Sequence, residues 1–315
     1  MRISLRDLTA QTPRRYHRVT IVALVLLVVI VVSGAAVRLT GSGLGCDDWP
    51  NCNDQRFVDV STGHAAIEQV NRLFTGLVSA GVIAAVLGAW WLTPRRKDLL
   101  WLSGGLVAGV LAQAVLGGIV VRVDLHPYAV QGHLLLSMVL VGNAVVLVDR
   151  AGRESGPRPA RRSPPWRSLV WALGTGTTVA IVTGTVVTGA GPHAGDEDVE
   201  RLGIDISAAA RVHSATVLMT VALAVVLAIR LARRGEATMV RAALSTWIAL
   251  ALLQAALGYA QYFSDVPPLL VGLHVFGATL LWMATVHLVL VAERPPAAVT
   301  GGTSPARGLV ASRNT

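Results

Sequence analysis

Apolar residues in this chain come in long blocks, separated by short polar stretches. Eight blocks stand out, at 20–38, 66–92, 99–121, 129–149, 168–190, 209–230, 239–261 and 270–291. About 20 apolar residues in a helix cross the roughly 30 Å hydrocarbon core of a bilayer. A helix can do so because its backbone groups bond internally, where lipid offers no partner. The pattern predicts an all-α, polytopic membrane protein with eight transmembrane helices.

Composition agrees, and charge gives an orientation. Only 14% of the 315 residues are charged and mean hydropathy is +0.58, whereas a soluble domain carries roughly a quarter charged residues. In a soluble chain the net charge of +9 would suggest a nucleic-acid partner. Here the basic residues lie between apolar blocks, so membrane lipid is the expected neighbour and no nucleic acid is expected.

One set of segments holds Arg14, Arg15 and Arg18, then Arg95, Arg96 and Lys97, then the run from Arg150 to Arg167, then Arg233, Arg234 and Arg294. The alternate set holds Asp47, Asp48, Asp54 and Asp59, then Asp124, then Asp196 to Glu200, then Asp265. The positive-inside rule places the first set and both termini in the cytoplasm. The first block follows three arginines and is long enough to span, so it reads as a retained helix and not as a cleaved leader.

The chain divides into a cytoplasmic segment 1–19, a four-helix half 20–149, a cytoplasmic linker 150–167 with four prolines, a second four-helix half 168–291, and a tail 292–315. The tail is rich in Gly, Pro, Ala, Ser and Thr and is expected to be disordered. The halves repeat each other. Leu111, Gln113, Ala114, Leu116, Gly117, Asp124, Pro127, Val130 and His133 match Leu252, Gln254, Ala255, Leu257, Gly258, Asp265, Pro268, Val271 and His274 at one constant offset. Thr40-Gly41-Ser42-Gly43 is echoed by Thr188-Gly189-Ala190-Gly191. An even number of spans per half makes this a parallel repeat about an axis along the membrane normal. The expectation is two pseudo-symmetric four-helix bundles.

Ionisable residues inside a bilayer are costly and are functional candidates by default. His133, His213 and His274 each fall about one turn into the fourth, sixth and eighth helices, counted from the extracytoplasmic side. Two imidazoles at matched depth on different helices of one bundle suit axial ligation of haem. Interhelical hydrogen bonding is the plain alternative. His213 and His274 form such a pair in the second half. In the first half His133 faces Glu68, Asn71 and Arg72 of the second helix, with no second histidine. That side would be weakly held or open, and a carboxylate beside it could move protons; an i,i+4 Glu68–Arg72 ion pair is the structural alternative. Arg72 and Arg211 could pair with haem propionates or snorkel to lipid phosphates. His287 would suit an inner haem but has no partner at its depth, so an inner haem is rejected. His64, His126 and His193 fall in outer loops or at helix ends, as transient ligands or as solvated side chains.

Cys46 and Cys52 share the segment after the first helix. Outside the cytoplasm a disulfide can form and persist, and Trp49-Pro50 supports a turn between them. Such a bond above the first-half site could be structural or could relay electrons. Two thiols with no spaced His pair make a tetrahedral zinc site improbable.

The segment Leu39-Thr40-Gly41-Ser42-Gly43-Leu44-Gly45-Cys46, continuing to Asp48-Trp49-Pro50, resembles the haem A synthases. So do Thr188 to Asp196, Leu116-Gly117-Gly118, Pro127 and His133, and the likeness covers nearly all of 20–291. The resemblance implies oxidation of the C8 methyl group of haem O to a formyl group, giving haem A for cytochrome c oxidase. It implies a haem b on His213 and His274, with Arg211 nearby. Substrate haem would lie near His133, Asn71 and Arg72, with Glu68 catalytic and the Cys46–Cys52 pair serving electron or haem delivery. Haem O synthase and oxidase assembly proteins are the implied partners in a bacterial cell membrane, and a homo-oligomer is left open. Many members have a histidine where this chain has Asn71, which removes a bis-histidine site from the first half. Variation of this kind occurs in high-GC Gram-positive members. A second cysteine pair found in some members is absent. Other readings are a two-haem transmembrane electron carrier, which needs an inner histidine pair, a transporter, which needs broken helices, and a non-catalytic haem-binding assembly factor.

Overall fold

The computed structural model describes residues 12–153, 164, 166–234 and 238–294. The tail and most of the linker lie outside the described residues. Eight helices run α1 (Pro13–Leu39), α2 (Gly63–Trp91), α3 (Lys97–Arg122), α4 (Pro127–Ala151), α5 (Arg167–Ala190), α6 (Ile206–Arg234), α7 (Thr238–Phe263) and α8 (Pro268–Ala292). All eight are long and apolar enough to cross a membrane, and among the described residues there is no β-strand.

The helices outrun the apolar blocks. The first block starts at Thr20, but α1 begins at Pro13, where Thr12 accepts a bond from the Arg15 backbone and proline occupies the first turn. Proline there gives up only a donor that would lack an intrahelical partner. Likewise α6 starts at Ile206, before Ala209, because the Asp205 carboxylate accepts from the Ala208 N–H at 2.7 Å. Hydropathy marks the length immersed in lipid; caps and prolines mark the length that is helical.

Helix packing follows two closed rings. In the first, α1 packs on α2, α2 on α3, α3 on α4 and α4 back on α1; in the second, α5 packs on α6, α6 on α7, α7 on α8 and α8 back on α5. The rings meet through α4 on α8, with α1 on α8 matched by α5 on α4. Exchanging the halves turns each of these contacts into another of the set, as a pseudo-twofold axis requires. Leu24, Leu27, Val82, Leu99, Leu106 and Val141 fill the first ring's core, and Leu173, Leu227, Leu244, Trp247 and Leu288 the second's. Trp282 of α8 donates its indole N–H to the Met138 carbonyl of α4 at 2.7 Å, over Gly142. At the end away from the cysteines, Arg294 binds the Asp149 carboxylate at 2.6 Å, and Arg153 also pairs with Asp149.

The repeat extends to backbone detail. Asp124 and Leu125 take φ of 50° and 57°, and their counterparts Asp265 and Val266 take 58° and 56°. Side chains other than glycine rarely adopt this left-handed region. Leu125 N–H bonds the Val120 carbonyl at 2.9 Å, and Val266 N–H bonds the Gln261 carbonyl at 2.8 Å. Both are six-residue closures of the kind that end helices in a Schellman motif. Each releases the chain into the proline that starts the next helix, and so sets the height of the histidine on it.

Candidate functional site

His133 is the seventh residue of α4 and His274 the seventh of α8, and each helix begins on proline. His213 is the eighth residue of α6. At 1.5 Å per residue all three lie roughly 10 Å along their helices, at the end where the cysteine loop sits. In the second ring α6 and α8 stand across from each other, so His213 and His274 project from opposed helices. In the first ring the opposed pair is α4, with His133, and α2, with Glu68, Asn71 and Arg72.

Each imidazole lies against a glycine of an adjoining helix. A β-carbon on Gly184 of α5 would come within 3.1 Å of His213 Cε1. One on Gly258 of α7 would lie 3.4 Å from His274 Cε1, and one on Gly117 of α3 would lie 3.5 Å from His133 Cε1. Gly117 and Gly258 are repeat partners, like the histidines they flank. The Nδ1 atoms of His133 and His274 are buried and have no hydrogen-bond partner. His213 Nδ1 meets the Thr183 hydroxyl at 3.2 Å, and Thr183 also meets Thr216 at 3.1 Å. Buried imidazole nitrogens are ordinarily satisfied. One such orphaned nitrogen in each ring, at repeat-equivalent places beside glycines, fits side chains built to hold an iron porphyrin.

The α2 residues take part in a different structure. Cys46 and Cys52 form a disulfide whose sulfurs are buried. Glu68, 5% exposed, accepts from the Cys46 backbone N–H at 2.7 Å and from Arg72 at 2.9 and 2.5 Å. Arg72 also donates to the carbonyls of Asp48 at 2.9 Å, Asn51 at 3.0 Å and Cys46 at 3.3 Å. Glu68 and Arg72 thus form the i,i+4 ion pair that their spacing permits, and together they grip the cysteine loop. Asn71 points elsewhere: its Oδ1 accepts from the Ser33 hydroxyl of α1 at 2.7 Å. The far side of the loop lies on α3, where Trp49 packs on Gly118, which is adjacent to Gly117. Arg122 donates to the Trp49 carbonyl at 3.2 Å. The loop therefore covers the mouth of the first ring from α2 to α3. Further out, Asp59 accepts from Ser61 N–H and from Asn53. The Ser61 backbone bond is the main cause that holds its carboxyl below the usual aspartate range.

Arg211 is exposed and comes only within 4.0 Å of Asp205. His64 Nδ1 meets the Ser42 hydroxyl at 2.9 Å, His126 lies 3.9 Å from Glu200, and His193 Nε2 bonds the Val266 carbonyl at 2.7 Å. These three hold the surface loops. His287 lies on α8 toward the Asp149–Arg294 end, away from the other α8 histidine. Residue patterns did not single out Gly184 or the supporting hydroxyls of Ser33 and Thr183. Gly117 and Gly258 did carry a signal, since both recur in the repeat at one fixed spacing from a histidine.

The model of the COX15-CtaA family, described as cytochrome oxidase assembly protein, matches residues 17–286. The chain belongs to this family. That match takes in all eight helices, including both rings and the loop between Cys46 and Cys52. Similar proteins include a haem A synthase of Listeria welshimeri, 30% identical over 174 residues, covering 53% of this chain and 57% of the relative. A haem A synthase of Bacillus pumilus is 25% identical over 175 residues with the same coverage. One of Lysinibacillus sphaericus is 27% identical over 128 residues, covering 40% and 42%. The matches thus span 57% of the first two relatives' length and 42% of the third's. With eight spanning helices and this family, the chain is a multi-pass membrane protein.

Proposed function

We propose that this protein is a haem A synthase, oxidising the C8 methyl group of haem O to a formyl group to give haem A for cytochrome c oxidase. The observation that carries the proposal is the broken repeat. His133 and His274 occupy the same place in two equivalent rings, but across from them stand Asn71 in one and His213 in the other. Two opposed imidazoles would hold a haem in the manner that suits electron transfer, whereas a single imidazole would leave its iron free to react. The second ring is then the haem b site, held by His213 and His274 with Arg211 at its rim. The first ring is the substrate site, where His133 and Asn71 flank haem O.

A haem supplies the redox chemistry; the chain supplies position and proton handling. The Gly184, Gly258 and Gly117 contacts fix the imidazole planes. The Thr183 hydroxyl orients the His213 ring, as an outer partner does for a metal-bound imidazole. Glu68 is the catalytic carboxylate, buried near the first-ring mouth, where it would take or give a proton. Arg72 acts beside it by holding the loop that covers that mouth. The half boundaries at 20–149 and 168–291 belong to the same reading.

The bacterial cell membrane is the proposed location, with both termini cytoplasmic and the histidine level near the extracytoplasmic face. Arg95, Arg96, Arg150, Arg153 and Arg167 support this orientation, because they lie at the end opposite the cysteines. Haem O synthase and oxidase assembly proteins are the proposed partners, and a homo-oligomer is compatible with the broad lipid-facing surface. The test is pigment extraction from purified protein, expressed with and without a haem O source. Haem A should accumulate only with the source, above a constant haem b content. Protein that carries haem b and leaves haem O unchanged would refute the enzymatic reading.

A further inference from the structure

The loop closed by Cys46 and Cys52 is held to α2 by two charged side chains, and both depend on the loop's curvature. Three carbonyls, of Cys46, Asp48 and Asn51, converge on one guanidinium, that of Arg72, within 3.3, 2.9 and 3.0 Å. The Cys46 N–H turns inward to Glu68 at 2.7 Å. A disulfide between residues six apart forces this convergence; an open chain of the same length has many other shapes. Cys46 and Cys52 are 0% and 1% exposed, so the loop must lift off α2 before any reductant reaches their sulfurs.

We propose that the Glu68–Arg72 pair couples the redox state of the Cys46–Cys52 bond to the position of the Glu68 carboxylate. With the disulfide closed, Glu68 is pinned to the Cys46 N–H. With the disulfide reduced, the loop carbonyls leave Arg72 and the carboxylate is freed toward the first ring. Arg72 is a positioning residue in this scheme. The significance for catalysis rests on the proposed role of Glu68; the coupling itself does not need it. The reductant is a dithiol. Its two sulfurs become a disulfide as the Cys46–Cys52 bond breaks, and its two hydrogens pass to the cysteine sulfurs, so two electrons and two protons are exchanged.

Linkage makes the coupling reciprocal. If the closed disulfide supports the clasp, the clasp must equally resist reduction of the disulfide. Hydrogen bonds to charged groups are worth enough to shift such an equilibrium about tenfold, or about 30 mV for a two-electron couple. The experiment equilibrates full-length protein in detergent with graded ratios of reduced and oxidised dithiothreitol. Free thiols are then counted by alkylation and mass shift. Arg72→Gln and Glu68→Gln should each favour the dithiol about tenfold and speed its formation, and Arg72→Lys should fall between them and the parent. Arg56→Gln removes a charge from the same loop at a site that touches neither clasp residue, and it should leave the equilibrium unchanged. Monodisperse elution and helical circular dichroism identify folded variants, and the isosteric Glu68→Gln carries the test alone if Arg72→Gln does not fold. An equilibrium equal to the parent's in the folded variants overturns the coupling, as does an equal shift in Arg56→Gln. The measurement needs neither haem nor turnover, so its failure would leave the haem A synthase reading standing. Failure to make haem A would likewise leave this result untouched.

Discussion

Replacing Gly184 with alanine tests whether the histidine level is a built haem site. The new β-carbon would lie 3.1 Å from His213 Cε1 and 3.5 Å from Nδ1. Carbon atoms pack at about 3.5–4.0 Å, so the ring must retreat by roughly 0.4 Å or more. A ring that also bound iron would be held at both nitrogens and could not retreat, whereas in the apoprotein the 3.2 Å contact of its Nδ1 with Thr183 is its one side-chain tether. Overpacking of this kind costs about 1–3 kcal/mol, and each 1.4 kcal/mol is about tenfold in affinity. Haem affinity at the second ring should therefore fall by roughly 5- to 140-fold. The same change should not harm the apoprotein, since alanine favours a helix over glycine by up to about 1 kcal/mol. Gly258→Ala and Gly117→Ala place the new atom at 3.4 and 3.5 Å, ordinary or nearly ordinary contact, and serve as graded controls. The assay is a haem titration of detergent-purified apoprotein followed by its absorption spectrum, beside a thermal melt of each apoprotein. Parent-like haem binding by Gly184→Ala, or a larger loss in Gly258→Ala than in Gly184→Ala, would refute the reasoning.

Four further outcomes follow from the same geometry. His213→Ala and His274→Ala should each abolish the low-spin b-type spectrum, and an unchanged spectrum in both would place the cofactor elsewhere. Glu68→Ala should stop haem A formation while pigment extraction still finds haem b; a normal haem A yield would remove Glu68 from the mechanism. Asn71→His should add a second bis-imidazole site opposite His133, visible as a second low-spin haem, and a parent-like spectrum would mean that the two side chains do not face one cavity. At the opposite end, Asp149 is 7% exposed and pairs with Arg153 and Arg294, which are 32% and 28% exposed. Asp149→Ala leaves two guanidiniums together and should cost about 2 kcal/mol, discounted from the cost of breaking a fully buried pair. Arg294→Ala leaves Asp149 its other partner and should cost clearly less in a thermal melt; the reverse order would refute the clamp between the rings.

The spans were legible because lipid imposes one rule on every helix, so unbroken apolar length alone reveals them. Their ends were not, since Thr12, Pro13 and Asp205 act through caps that a hydropathy profile does not register. The repeat was legible down to the histidines, because Leu111 to His133 and Leu252 to His274 align without a gap. The left-handed pairs at Asp124 and Asp265 were hidden, for neither position carries the glycine that usually marks that conformation. Sequence spacing put Glu68 and Arg72 on one helix face and so allowed their ion pair. It said nothing about the carbonyls of Asp48 and Asn51, which reach Arg72 only once the disulfide bends the loop. Contacts made across a fold by backbone atoms leave no residue-type signature, and the loop clasp is of that kind.

Equivalent scaffolds with unequal sites give the repeat its physical sense. A β-carbon at Gly117 or Gly258 meets the neighbouring histidine at nearly the same distance, and the same six-residue closure sets the height of α4 and α8. One wall of each ring is therefore fixed in common. The opposite wall is where the halves part. On α6 a threonine hydroxyl from α5 meets His213 Nδ1 and leaves Nε2 as the free ring nitrogen. On α2 a serine hydroxyl from α1 donates to Asn71 Oδ1 at 2.7 Å, an amide oxygen that is a far weaker metal ligand than an imidazole nitrogen. On the proposed reading His213 would close the second ring with an imidazole, and Asn71 offers the first ring no equivalent. The cover is supplied instead by the disulfide loop, which spans from Glu68 and Arg72 to Trp49 on Gly118, and the described second ring has no such disulfide above it. If the first ring takes haem O as proposed, a side with no second imidazole and a tethered loop in the same half are what the site needs for one occupant to enter, react and leave while the other stays.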